Sequence, residues 1–185
     1  MEQQERLRHL NRAADVIVGH EYTVLVDTYG TDEAIKDGWG YHNATHGIEV
    51  SRGGGRSAAV QVELGRLPAE ATPLARIAGI FHDHVQTETP GYELSPRREE
   101  LSVDAAHSAM RAYEKDQGYS PGGLFTPSNY DLVDEMIIAT KVRGVDNGRI
   151  VQNTSREQAA GAMLADVDLG LGTPEQHISS PPASC

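Results

Sequence analysis

Apolar residues recur every three to four positions along most of the chain, and this spacing predicts helices rather than strands. Near the start, one such face predicts an amphipathic helix, and Gly19 predicts where that helix ends. The face consists of Leu7, Leu10, Ala13, Ala14, Ile17 and Val18. Residues 21–29 contain an apolar run that fits either a strand or a buried helix, and we favour a second helix there.

The next segment, residues 41–64, has apolar positions on both sides of three consecutive glycines, Gly53-Gly54-Gly55. Each glycine in a helix interior costs about 1 kcal/mol relative to alanine. The pattern therefore predicts a kink, or two helices joined by a turn, at these glycines.

A short apolar helix is predicted from Thr72-Pro73, because threonine is a suitable N-cap and proline suits the first helical position. The apolar run ends at His82 and Asp83. It consists of Leu74, Ile77, Ala78, Ile80 and Phe81. We expect a buried helix that carries two polar side chains at its end.

Two further helices follow. Ser95-Pro96 repeats the start signal for a helix that reaches about Gly118, and residues 128–131 have capping-box spacing before a helix that reaches Thr140. Residues 145–151 are predicted to be a loop, because Asp146-Asn147-Gly148 is a turn signal.

The last predicted helix begins after a capping box at residues 154–157 and carries Asp166 and Asp168. Nearly every segment is thus helical, and the sequence predicts an all-α fold. We expect one helical bundle over residues 1–178 and a disordered Ser/Pro-rich tail at residues 179–185.

Composition narrows the class of protein. The 185 residues fit one domain, and the net charge of −11 without a dense basic patch argues against nucleic-acid binding. The single cysteine, Cys185, excludes a disulfide within the chain and favours a reducing cytoplasm. No signal peptide is recognisable, and no apolar stretch approaches the roughly 20 residues of a membrane span. We therefore expect a cytoplasmic protein with no membrane partner.

Candidate chemistry is concentrated in a few histidines and aspartates. His82 and Asp83 diverge by about 100° on a helix, so they can bind one cation only in a cleft where other helices supply further ligands. His42 and His46 are four residues apart and would share one helical face. Nitrogen and oxygen ligands of this kind suit Mn, Mg, Co, Ni, Fe or Zn, and the lack of thiolates argues against a structural zinc site.

Three motifs, in this order, resemble those of the HD superfamily of metal-dependent phosphohydrolases. They are Tyr41-His42-Asn43-x-x-His46, Phe81-His82-Asp83 and Ala165-Asp166-Val167-Asp168-Leu169-Gly170. Two further segments, Glu99-Glu100-Leu101-Ser102 and Ile137-Ile138-Ala139-Thr140-Lys141, are similar to segments of small bacterial chains predicted to be HD phosphohydrolases. The resemblance covers about residues 20–172 and implies an HD-domain helical bundle with a metal site between helices.

The resemblance implies that His46, His82, Asp83 and Asp168 bind one divalent metal ion. Asp168 is preferred over Asp166 because the last ligand in the family precedes a leucine directly or nearly so, and Leu169 follows Asp168. Asp166 remains the alternative last ligand.

Two catalytic roles are implied as well. Asp83 would help to orient a metal-bound water. His42 matches the proton donor to the leaving oxygen in cyclic-nucleotide phosphodiesterases with the same motif, although it could instead bond to Asp166 or to a backbone carbonyl. Lys141 and Arg143 either contact substrate phosphates or form a solvated helix end.

The resemblance implies hydrolysis of a small phosphate ester, with a nucleotide as the preferred candidate. Two alternatives stay open: a di-iron oxygenase of the HD type, and a catalytically silent nucleotide-binding domain. Related chains continue with another helix after the last aspartate, whereas residues 172–177 here lead into the Ser/Pro-rich tail. A homodimer could cover the surface that such a helix would otherwise protect.

Overall fold

A computed structural model describes residues 2–30, 43–84, 98–146, 149–154 and 158–170. Within these ranges the chain forms six helices and one two-stranded sheet, which confirms the all-α prediction. The helices are α1 (Gln3–Tyr29), α2 (Ala44–Glu63), α3 (Ala71–Phe81), α4 (Arg98–Asp116), α5 (Pro127–Ala139) and α6 (Ala159–Asp168). The strands β1 (Val142–Asp146) and β2 (Arg149–Gln152) lie between α5 and α6. The predicted domain boundary at residue 178 and the tail at 179–185 lie outside the described residues.

Helix α3 is the centre of the bundle. It is predominantly apolar, and nearly all of its residues are buried. It packs most extensively against α2 and also contacts α1 and α5. One hydrophobic cluster joins side chains from all six helices. The polar pair His82 and Asp83 therefore lies at the end of a buried helix, as the sequence predicts.

Helix α1 corrects one predicted boundary. Gly19 does not end the first helix, because α1 continues to Tyr29 and includes the segment that we interpreted as a separate helix. Gly19 is exposed and has no neighbour within 4 Å of the position of a Cβ atom. Its cost of about 1 kcal/mol is outweighed because α1 buries residues on both sides of it, including Ile17 and Leu25.

Helix α2 corrects a second prediction. Residues 53–55 lie inside one continuous helix and do not divide it. A Cβ atom on Gly54 would lie 2.8 Å from Leu164 Cδ1 and 3.2 Å from the Ala75 carbonyl oxygen, and one on Gly55 would lie 2.6 Å from Arg76 Cγ. The glycines are therefore needed for close packing of α2 against α3 and α6, rather than for a turn.

The strands β1 and β2 include most of the residues, 145–151, that were predicted to form a loop. They form an antiparallel hairpin in which Asp146 pairs with Arg149 and Val142 pairs with Gln152. The predicted turn at Asn147 and Gly148 falls between the two strands, at residues outside the described part. The strands were missed because each is only four or five residues long and neither shows a regular apolar alternation.

The start of one helix is shifted from its predicted position. Helix α5 begins with Pro127 after Thr126, whose backbone N–H donates to the Asn129 side chain at 3.1 Å, so the capping interaction is at 126–129 rather than at 128–131. The signals at Ser95-Pro96 and at residues 155–157 lie outside the described residues. Among the residues that are described, no helix combines the length and the apolarity required to cross a membrane.

Candidate metal centre

Three helices bring two histidines and two aspartates to one place. His46 lies in the first turn of α2, His82 and Asp83 follow α3 directly, and Asp168 is the last residue of α6. One potential ligand atom from each of these four side chains lies within 4.8 Å of the other three. His82 is fully buried, and the side chains of His46 and Asp168 are 11% and 12% exposed. We call these four residues the His/Asp cluster; they could hold a metal ion.

The spacing of the ligand atoms suits a single cation. His46 Nε2 lies 3.2 Å from His82 Nε2 and 3.1 Å from Asp168 Oδ1. His82 Nε2 lies 3.2 Å from Asp83 Oδ2 and 3.2 Å from Asp168 Oδ1. Metal–ligand bonds of about 2.1 Å put neighbouring ligands about 3.0 Å apart in an octahedron and about 3.4 Å apart in a tetrahedron. The donor atoms therefore fit a metal ion in both number and separation.

The ring of His82 is oriented by its own helix. Its Nδ1–H donates to the Gly79 carbonyl oxygen at 2.8 Å, one of the carbonyls that a helix C-terminus leaves without an intrahelical partner. Because the proton is on Nδ1, Nε2 presents a lone pair to the cluster in the neutral ring. This arrangement is typical of metal-binding histidines, whose second nitrogen is fixed by a carbonyl or carboxylate.

His46 is positioned by the start of α2. The Asn43 side chain caps this helix and accepts a hydrogen bond from the His46 backbone N–H at 3.0 Å. Helix α2 begins at Ala44, with Asn43 as its N-cap. His42 itself lies outside the described residues, and its role stays a prediction.

The carboxylates of the His/Asp cluster favour a positively charged group within it. Burial alone would lower the pKa of His82, but the adjacent carboxylates of Asp83 and Asp168 outweigh burial and raise it well above its usual value. Burial alone would raise the pKa of Asp168, but hydrogen bonds from His46 and His82 lower it well below the usual range. Two carboxylates at the C-termini of α3 and α6, where helix dipoles also favour cations, would be balanced by one divalent ion.

Asp168 has a further partner that the sequence did not indicate. The Gln152 side-chain amide donates to Asp168 Oδ2 at 2.7 Å and to the Thr140 carbonyl oxygen at 3.2 Å. Gln152 is buried and belongs to β2, the strand that was predicted to be loop. No motif marks a glutamine at this position, so only the fold could reveal the contact.

The two candidates for the last ligand, Asp166 and Asp168, lie on different sides of α6. Asp168 is in the His/Asp cluster, whereas Asp166 is exposed on the same helix. The 100° step per residue turns these side chains about 200° apart on α6, so only one of them can face α2 and α3.

His84 lies outside the cluster although it follows Asp83 directly. Its Nδ1 contacts the buried Glu21 carboxylate of α1, and its backbone carbonyl accepts a hydrogen bond from the Tyr29 hydroxyl at 3.0 Å. His84 therefore ties the end of α3 to α1. A cavity of about 610 Å³ between α1 and α4 is lined by Glu21, Phe81 and His84, and no member of the His/Asp cluster is among its described lining residues.

Charged residues at the start of α4 and just after α5 form ion pairs. The Lys141 ammonium lies 3.0 Å from Glu100 Oε1 and 3.8 Å from Glu99 Oε2. Lys141 directly follows Thr140, whose carbonyl is joined to Asp168 through Gln152. Arg143 contacts the Asn153 side chain on the neighbouring strand. Both basic residues adjoin this network without being part of it, since Lys141 follows Thr140 and the Arg143 partner Asn153 follows Gln152.

No family model, no curated protein and no solved structure matches this chain.

Proposed function

We propose that the protein is a metal-dependent phosphohydrolase of the HD type that acts on a small phosphate ester, with a nucleotide as the preferred substrate. The observation that carries this proposal is the convergence of His46, His82, Asp83 and Asp168 at one point between three helices. Their order along the chain and their residue types match the motifs that resemble the HD superfamily.

The residues of the cluster would hold one divalent ion, and their nitrogen and oxygen ligands suit Mn, Mg, Co, Ni, Fe or Zn. A bound ion of this kind lowers the pKa of a coordinated water towards 7 and polarises a phosphoryl oxygen. The chain's own task is then to fix the ligands, to orient the water and to bind the phosphate, since phosphoryl transfer depends mainly on positioning and charge neutralisation.

Asp83 is suited to orienting the water. Its side chain is the most exposed of the four, at 26%, and its Oδ2 lies 3.7 Å from His46 Nε2, the longest separation among the measured ligand pairs. Asp83 therefore faces the accessible side of the cluster, where an attacking water would enter. His42 would protonate the leaving oxygen, a role that rests on the sequence motif alone.

Lys141 is the proposed phosphate contact. It lies next to the residue that links α5 to Asp168, and its ion pairs with Glu99 and Glu100 hold its ammonium near that end of α5. Lys141→Met should therefore raise KM by about tenfold with a smaller effect on kcat, because one charge-assisted hydrogen bond to the phosphate is lost. Lys115→Met, at the exposed end of α4, is the matched control and should leave both constants unchanged.

The proposal is tested by phosphate release from a panel of nucleotides and simple phosphate monoesters and diesters, with each of the six metals supplied separately. We expect release that requires added metal and that is lost in Asp83→Asn. Metal binding without release from any substrate would favour the silent binding domain, and two bound irons without release would favour the oxygenase. Release that is unchanged by chelators and by Asp83→Asn would contradict the proposal.

A further inference from the structure

The side chain of Gln152 is held between two acceptors, and this arrangement determines what it can do. Its amide nitrogen donates to the Thr140 carbonyl oxygen and to Asp168 Oδ2, so both of its N–H groups are used. Gln152 is 8% exposed, which leaves little access for water to replace either hydrogen bond. Among uncharged side chains of this length, only an amide supplies two donors from one nitrogen.

The two oxygens of Asp168 therefore have different partners. Oδ2 accepts from Gln152 at 2.7 Å, while Oδ1 lies 3.1 Å from His46 Nε2 and 3.2 Å from His82 Nε2. A carboxylate with both oxygens available can bind a metal through one or through both of them. The hydrogen bond from Gln152 occupies one acceptor site of Oδ2, while Oδ1 is the oxygen that lies near both histidines.

The hairpin explains how Gln152 reaches this position. Gln152 is paired with Val142 across β1 and β2, and the Asn153 backbone N–H donates to the Lys141 carbonyl at 2.8 Å. These bonds fix the end of β2 against the end of α5. The buried Thr140 carbonyl, which follows the last residue of α5 and cannot accept a bond within that helix, gains a partner from the same side chain.

We propose that Gln152 is a positioning residue that restricts Asp168 to a single coordinating oxygen and so sets both the affinity and the coordination geometry of the metal centre. This inference rests on the proposed metal centre. It assigns a role to the β1–β2 hairpin, which holds one ligand in place without supplying a ligand of its own. It also leaves coordination positions for water and for a phosphoryl oxygen, which a bidentate Asp168 would partly occupy.

The test compares Co²⁺ binding by wild type and Gln152→Met, a variant of similar length that has no hydrogen-bond donor. We expect the dissociation constant to rise by about 10- to 100-fold, the range found when outer partners of metal ligands are removed. The visible absorption of bound Co²⁺ should also change, because Asp168 becomes free to coordinate through both oxygens. A purely structural role would alter the melting temperature of the metal-free protein without altering that spectrum.

Asn153→Leu is the matched control, because it removes the neighbouring amide, which contacts Arg143 and the Ile138 carbonyl rather than the cluster. It should leave Co²⁺ affinity and absorption as in wild type. Gln152→Asn, which keeps the amide but shortens its reach, is measured if Gln152→Met does not fold, and the same change in spectrum is expected. Wild-type affinity and absorption in the Gln152 variant that folds would overturn the inference. Failure of the wild type itself to bind metal would overturn the proposed function, and this inference with it.

Discussion

His82 shows how much a single residue contributes to the site. It ends the most buried helix of the bundle, its Nδ1 is fixed by the Gly79 carbonyl, and its Nε2 lies 3.2 Å from three other donor atoms. A buried ring in this position without a positive charge beside it would face two carboxylates across a low-dielectric interior. Either a proton or a cation must therefore be present at the cluster.

The assignment of Asp168 is tested by two substitutions on the same helix. Asp168→Asn removes one of the two negative charges of the cluster and should weaken divalent-metal binding by at least about 100-fold, equivalent to roughly 2.7 kcal/mol. Asp166→Asn makes the same chemical change on the exposed side of α6 and should leave metal binding unaltered. Isothermal titration with Mn²⁺ or Co²⁺ distinguishes them, and equal losses in both variants would show that Asp168 has no special role.

The pKa of His82 predicts how pH affects the metal-free protein. Because this pKa is raised in the folded state, the stability that His82 contributes is complete below its unfolded value of about 6.5 and is lost as pH rises through the folded value. Asp168, with a lowered pKa, contributes stability above about pH 4 and loses it as pH falls further. The cluster thus favours the metal-free fold most between about pH 4 and 6.5.

Bound metal should reverse this trend above neutrality, since it replaces the proton on His82. We expect the increase in melting temperature caused by saturating Mn²⁺ to be larger at about pH 8 than at about pH 6. Thermal unfolding with and without chelator measures both values. An increase that is the same at the two pH values, or larger at the lower one, would contradict the coupling between His82 and the metal.

The residues of the His/Asp cluster could be predicted from the sequence, but the hydrogen bonds that position them could not. His46, His82, Asp83 and Asp168 stand in recognisable motifs, and the structure brings all four together. The Gln152 hydrogen bond depends on the register of a short hairpin, which no local pattern fixed. His42 lies outside the described residues and stays a prediction.

At the level of helices, the main errors came from glycine. Gly19 and residues 53–55 were interpreted as breaks because glycine lowers helix stability by about 1 kcal/mol. That cost is small beside the burial that α1 and α2 gain from continuing, and residues 53–55 are required where α3 and α6 approach α2. The segments with strong apolar periodicity were correctly predicted to be helical, because helical spacing places their apolar residues on one face that can be buried.

Gly79 offers a test of this packing argument. A Cβ atom there would lie 2.7 Å from the Ser51 Cα atom and 2.8 Å from the Ser51 backbone nitrogen, so α3 and α2 would have to separate. Gly79→Ala should lower the free energy of unfolding by about 1–3 kcal/mol and should weaken metal binding, because His46 and His82 lie on the two separated helices. Urea unfolding and metal titration measure the two effects.

Gly19→Ala is the control for that substitution. Gly19 is helical and exposed with open space around it, so alanine should raise the free energy of unfolding by up to about 1 kcal/mol and leave metal binding unchanged. A stabilising effect of Gly79→Ala similar to that of Gly19→Ala would show that α2 and α3 are not in close backbone contact.

For the whole molecule, the His/Asp cluster joins parts of the chain that are far apart in sequence. Residues 46 and 168 are 122 positions apart, yet their ligand atoms are 3.1 Å apart. One ion bound to α2, α3 and α6 would therefore stabilise the entire bundle, by about 2.7 kcal/mol when its concentration is 100 times the dissociation constant. The all-α architecture could be predicted from apolar periodicity alone. The convergence of α2, α3 and α6 at the His/Asp cluster could be expected only from the motifs, and it depends on how these helices pack.

The most direct test of the account is the metal content of the purified protein after loading with a divalent ion and removal of the excess. Elemental analysis should find about one metal ion per chain in the wild type and essentially none in the His82→Ala, Asp83→Ala double variant, since half of the four ligands are then lost. The same content in both proteins, or no metal in a folded wild type, would contradict a metal centre at the His/Asp cluster.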